Sequence, residues 1–206
     1  MFIKQRELVF SLTPNLLNVK NTHISKFKVR NNTHICLFYI YLHYKKSVMV
    51  KAKLESINNT EAVSLYSIHF ETENLTEFAR FLEKFKDNAS LQRDFLRIVQ
   101  AVQLIMSGGA LERRFRMEGK MNDSVCALPV LTGKLRLYCL RLSDKVLVIG
   151  NGGIKDVKTY QESTELTGYV MDLQKFDAII KDAKAEGLVS YEIMGLDNLT
   201  DKYFDL

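Results

Sequence analysis

The chain has 206 residues, 47% of them hydrophobic, with two prolines, which sets one domain, or one domain with an appendage, and excludes a disordered or Pro-rich chain. The three cysteines, Cys36, Cys126 and Cys139, form no CxxC pair, which excludes a zinc framework and a disulfide scaffold and fits a reducing cytoplasm. The net charge of +5 is unevenly placed. Residues 1–53 hold ten Lys/Arg against one acid, 110–160 hold ten against five, and 161–206 hold four against ten. A basic middle with an acidic end points to an anionic partner, RNA or DNA first, and the competing account is two solvated faces of opposite sign.

Residues 1–50 form an expected N-terminal extension, dispensable to the domain that follows and without a clear period. Their apolar run Ile35–Leu42 falls far short of the roughly 20 residues that span a bilayer and reads as a short strand. The main domain is expected over 51–187. Ser64–Phe70 alternates and predicts a first strand. Asn74-Leu-Thr-Glu77 has the form of a capping box opening a helix that buries Leu75, Phe78, Leu82 and Phe85. Ser90 opens a second helix with Leu91, Phe95, Ile98, Val99, Val102 and Ile105 inward, stopped at Ser107-Gly108-Gly109. Strands follow at 113–118, 125–131, 135–142 and 145–150, then a helix over 166–186. Phe78, Leu82, Phe95, Val99 and Val102 are expected to meet Leu137, Val146 and Val148. Residues 188–206 form an acidic C-terminal tail that holds one basic residue, Lys202.

The stretch Gly133–Tyr160 reads as a β-hairpin with a basic exit. Leu135, Leu137, Cys139 and Arg141 point one way. Lys134, Arg136, Tyr138, Leu140 and Leu142 point the other. Ser143-Asp144 is the turn, Lys145–Ile149 the return strand, and Lys155, Lys158 and Tyr160 follow. Gly150-Asn-Gly-Gly153 lacks the spacing of a phosphate loop and reads as a turn. No metal or cofactor is expected: Asp172, Asp177 and Asp182 scatter around a helix, and His23, His34 and His43 have no ligand spacing.

The order β-α-α-β-β-β-α, an α+β chain with a helical hairpin packed on a small, mostly antiparallel sheet, resembles the RelE/HigB/ParE superfamily of bacterial toxins. The matching text is Leu135-Arg-Leu-Tyr-Cys-Leu-Arg-Leu142, Lys145-Val-Leu-Val-Ile149 and Gly152-Gly-Ile-Lys-Asp-Val-Lys158, within residues 62–186. The sequence departs in its long second helix, in Gly150-Asn151 where a His is common, and in the acidic tail.

The resemblance implies a cytoplasmic toxin of a type II toxin–antitoxin system, cleaving ribosome-bound mRNA and neutralised by an antitoxin protein, with no membrane partner. The alternative is a non-enzymatic binding module on the same fold, a ParE-like gyrase inhibitor or a catalytically inactive relative. No His follows His69, so a histidine base within 110–206 is excluded, and a Lys crowded by cations is the substitute. The catalytic candidates are Arg136, Arg116, Lys155 and Tyr138. The RNA-binding candidates are Arg113, Arg114, Lys120, Lys134, Lys158 and Tyr160. A convergence of Arg116, Arg136, Lys155 and Lys158 on one concave sheet face is the expectation that separates nuclease from binding module. For Arg136 the competing role is an ion pair with Glu118, and for each single cation it is a solvated strand residue.

Overall fold

The computed structural model describes residues 50–118, 122–128, 133–191 and 195–206. The N-terminal extension, the Ile35–Leu42 strand, Cys36, His23, His34, His43 and Lys120 lie outside the described residues. The fold is α+β. A seven-stranded mixed sheet in the order β3-β4-β5-β6-β2-β1-β7 carries helices on both faces. Among the described residues, no helix is long and apolar enough to cross a membrane.

Strand β1 (Lys51–Asn59) was not predicted, because KAKLESINN shows little alternation and only Ala52 and Leu54 are buried. Its neighbours hold it. It pairs antiparallel with β2 (Ser64–Phe70) and, at its other edge, with β7 (Phe204–Asp205) at the chain's end. The expected first strand is therefore β2, and the sheet is larger than the small one the sequence suggested.

The helical hairpin forms, with a rotated first helix and with Leu91, not Ser90, at the N-cap of the second. In α1 (Glu77–Phe85) Thr76, not Asn74, caps the N-terminus, accepting from the Ala79 amide. Leu75 stays exposed, and Phe81 and Phe85 take the buried stripe, their rings 5.1 Å apart. The rotation follows from Glu77, whose carboxylate points inward and accepts from Asn151 Nδ2 at 2.8 Å and Arg80 Nη1 at 2.6 Å. A buried carboxylate is stable only when so paired, and its place in the first helical turn adds the favourable end of the helix dipole. In α2 (Gln92–Gly108) Phe95, Ile98, Val102 and Ile105 are buried. Gly109 ends it at φ +82°, a conformation that favours glycine.

The expected strand at 113–118 is instead a 3-10 turn at Glu112–Arg114 followed by a two-residue edge strand, β3 (Arg116–Met117). Next come β4 (Val125–Leu128), β5 (Leu135–Arg141) and β6 (Val146–Ile154). The two faces of β5 are as read: Leu135, Leu137 and Cys139 lie under the helical hairpin, while Tyr138 and Leu140 lie under α3 (Thr164–Ala185). On β6 it is Leu147 and Ile149 that meet the hairpin helices. Val146 and Val148 face α3, contrary to the expected core, because β6 alternates through a sheet covered on both sides. Cys126 and Cys139 sit opposite each other, buried and free, and burial pushes the Cys126 thiol up to about 12.

Gly150-Asn-Gly-Gly153 is not a turn. It continues β6 to Ile154, and the register against β5 shifts so that Gly150 and Asn151 both stand opposite Tyr138, a β-bulge. The glycines are demanded by packing. A Cβ at Gly150 would stand 3.1 Å from Leu173 of α3, one at Gly153 2.9 Å from Leu166, and one at Gly152 1.9 Å from the Arg136 carbonyl oxygen. Beyond α3, the C-terminal segment folds back onto β1 and β2. Leu196 and Leu199, the latter in the short helix α4 (Asp197–Thr200), are buried there, and the Tyr66 hydroxyl donates to Asp197 at 2.7 Å and accepts from the Leu196 amide at 3.1 Å. These residues lie near the start of β2, where Ser64 pairs with Val146, the sheet end away from Arg136.

Candidate nucleic-acid interface

The bulge positions the site. With Gly152 against its carbonyl, Arg136 sits on β5 opposite Gly153 of β6, half-buried rather than exposed. Its Nη1 donates to the carbonyls of Gly133 and Leu135, each at 2.9 Å, and its Nε is buried with no acceptor among the described residues. Tyr138, two residues on and facing the same way, is fully buried, and its hydroxyl also has no partner. Two orphaned donors thus stand on one face of one strand.

Glu118 supplies the negative charge beside them. Lys155 leaves β6 anchored by its amide to the Lys134 carbonyl at 2.6 Å, and its ammonium reaches both Glu118 oxygens at 3.2 and 3.3 Å. Arg116 Nε lies 3.4 Å from the same carboxylate. Lys155 and Glu118 are 9% and 7% exposed, against 65% for Arg116, so the first pair is sealed and the second open to solvent. Burial pushes the Tyr138 phenol well up, Glu118 adds to that and Arg136 opposes it, which ties all three side chains into one electrostatic unit. Tyr160, in a 3-10 turn leading to α3, packs edge-on to Tyr138 with ring centres 6.4 Å apart. Burial raises its phenol, and Asp123 and Glu118 contribute.

Arg116, Arg136, Tyr138, Lys155 and Tyr160, drawn from four separate segments, therefore gather around Glu118. They do so under a covered face and not on an open concave one. Tyr160 is buried against Tyr138, so its ring is not free to stack on a base. Among the described residues Glu118 pairs with Lys155 and Arg116 while Arg136 bonds backbone carbonyls, so the expected competing pair at Arg136 is not the one formed. Lys134 and Lys158 are exposed at the same end of β5 and β6.

Arg113 and Arg114 are elsewhere. The Ala110 amide donates to the Asp144 carbonyl at 2.7 Å, and Arg141 Nε donates to the Ala110 carbonyl at 2.7 Å, which fixes the end of α2 at the β5–β6 turn. Arg136 and Arg141 are five residues apart on one strand, about 16 Å, so these cations belong to the opposite end of the sheet. Arg113 is exposed and Arg114 half-buried, its Nε without a partner.

Two contributions escaped the sequence reading. Glu118 was given only a possible pairing role, although Arg116-Met-Glu118 has the i, i+2 spacing that puts both charges on one strand face. Arg93 and Arg97 were absent from the expected set. Asp94 accepts from the Lys134 amide at 2.8 Å, which brings the first turns of α2, with both arginines, to the Lys134 end. Nothing local in the sequence signals that approach.

Chemically, three cations surround one carboxylate, and two buried donors lack acceptors. The arrangement can bind a second anion or exchange the resident one. Comparison with family models, with curated proteins and with solved structures returned no match.

Proposed function

We propose that the chain is an RNA-directed toxin of the RelE/HigB/ParE kind, with the cluster around Glu118 as its site and ribosome-bound mRNA as its substrate. The observation that carries the reading is the gathering of Arg116, Arg136, Tyr138 and Lys155 from distant segments into one unit on a bulged strand pair. The order of elements over 64–185, strand, two helices, strands and a last helix, is in keeping with it. In such a site Arg136 lies against the scissile phosphate. Its guanidinium stays charged and presents a planar fork, and its rigid seat in β5 suits the stabilisation of charge that develops as a 2′-hydroxyl attacks phosphorus. Lys134, Lys158 and Arg116 hold the flanking backbone. The protein acts in the cytoplasm and is neutralised by an antitoxin protein.

A second reading is favoured by one specific observation. Lys155 is held by Glu118 and Tyr138 is buried, so neither is free to move a proton as held here. That state suits a module that binds without cleaving, such as a gyrase-directed or catalytically inactive relative. Induction in a bacterial host separates the two. The toxin reading expects growth arrest with new mRNA ends, a loss of about a hundredfold or more for Arg136→Ala, and partial recovery for Arg136→Lys. Growth arrest without new mRNA ends moves the assignment to the binding module. A fully toxic, normally folded Arg136→Ala protein ends the role given to this residue.

A further inference from the structure

We infer that the Arg136–Tyr138 corner is a phosphodiester-binding site and that Glu118 is a built-in stand-in for the phosphate, leaving when the ligand arrives. The inference rests on the RNA-directed reading and adds what controls access to that site.

Three observations converge. The first is the pair of unsatisfied donors. Arg136 Nε and the Tyr138 hydroxyl are both buried without acceptors, and they stand two residues apart on one face of β5. A buried donor is rarely left unpaired, and two together beside an ammonium describe a seat for an oxyanion. The second is charge. Glu118 carries one negative charge among Arg116, Arg136 and Lys155, and a phosphodiester carries the same charge. Exchange of one for the other leaves the net charge of the cluster unchanged and avoids burying unpaired cations.

The third is mechanical. The cations and the acid are anchored differently. Arg136 lies on β5 opposite Gly153 of β6, next to the close backbone approach at Gly152, and Lys155 is fixed by its amide to Lys134. Glu118 follows the two-residue strand β3, which has a partner on one side only, through Arg116↔Ala127 and Met117↔Cys126. Moving the acid disturbs a short sheet edge, while moving Arg136 or Lys155 would disturb the β5–β6 pairing. Glu118 is therefore the member that yields. Once it swings out, Lys155 faces the vacated place, and a phosphate, larger than the carboxylate, reaches further, to the Arg136 Nε–H and Tyr138 O–H that Glu118 leaves unpaired, its oxygens accepting from them.

Inorganic phosphate is the probe, titrated at constant ionic strength against chloride into the full chain, with the side-chain Nε–H of Arg136 followed by nitrogen-15 NMR. The wild-type protein should show a saturable shift of that resonance. Glu118→Gln, which keeps the size and removes the charge, should bind phosphate about tenfold more tightly, and Glu118→Gln with Tyr138→Phe, which removes one donor and keeps the Arg136 reporter, should lose much of that gain. Unchanged or weaker binding by a folded Glu118→Gln protein overturns the stand-in role. Should that variant fail to fold, the wild-type titration decides alone: a silent Arg136 resonance at saturating phosphate overturns the site. The outcomes also separate this inference from the RNA reading. Phosphate binding at Arg136 without RNA binding or toxicity would sink the RNA reading and leave the oxyanion site standing. Toxicity and mRNA cleavage with a silent Arg136 would do the reverse.

Discussion

At Gly152 a Cβ atom would stand 1.9 Å from the Arg136 carbonyl oxygen, so β6 passes β5 at a distance that only glycine permits. The same approach fixes the backbone from which Arg136 projects. Gly152→Ala should therefore cost about 3 kcal/mol or more, since backbone and not a flexible side-chain tip must move, and should weaken RNA binding with it. Gly168, inside α3, has nothing within 4 Å of its added Cβ, so Gly168→Ala should gain about 1 kcal/mol from helix propensity. Urea unfolding of the two variants checks both signs, and equal effects would contradict the bulge. At this scale strand alternation put Arg136 and Tyr138 on one face of β5, as the sequence suggests. The reading of Gly150–Gly153 as a turn failed because a glycine run marks a break by local rules, whereas here Leu166, Leu173 and the β5 backbone, all distant in sequence, require it.

The elements that alternate or repeat at helical spacing, β2, β5, α2 and α3, were legible because each has an apolar face of its own. Strand β1 was not, since its pairing with β2 and β7 comes from tertiary context. Residues 188–206 were read as an acidic tail because their charge hides two buried leucines. Leu196 and Leu199 complete the core beneath β1 and β2, with Val189 buried nearby, and Tyr66 has both its hydroxyl bonds to this segment. Burying each of these three side chains contributes about 1.5–3 kcal/mol, and their sum is comparable with the whole stability of an ordinary domain, about 5–15 kcal/mol. A chain ended after Gly187 should accordingly lose its cooperative thermal transition, followed by circular dichroism. A truncated protein that melts normally would contradict this part of the core.

Across the whole molecule, the +5 charge resolves into separate places. One end of β5 and β6 carries Arg136, Lys155 and the exposed Lys134 and Lys158, with Arg116 open beside them and the first turns of α2 close by. The other end carries Arg113 and Arg114. Charge counting along the chain detected the excess but not this division, because the approach of α2 to Lys134 and of α2's end to Asp144 is set by the helical hairpin's packing. The central claim is that the Arg136 end is where an RNA backbone docks. Its most direct measurement is the salt dependence of binding to a single-stranded RNA oligomer, for wild type, Arg116→Ala, Lys158→Ala and Arg113→Ala. Each lost phosphate contact should reduce the slope of log affinity against log salt by about 0.7. The account predicts that reduction for Arg116→Ala and Lys158→Ala and an unchanged slope for Arg113→Ala. Unchanged slopes at Arg116 and Lys158, with a reduced slope at Arg113, would place the RNA at the other end of the sheet and contradict it.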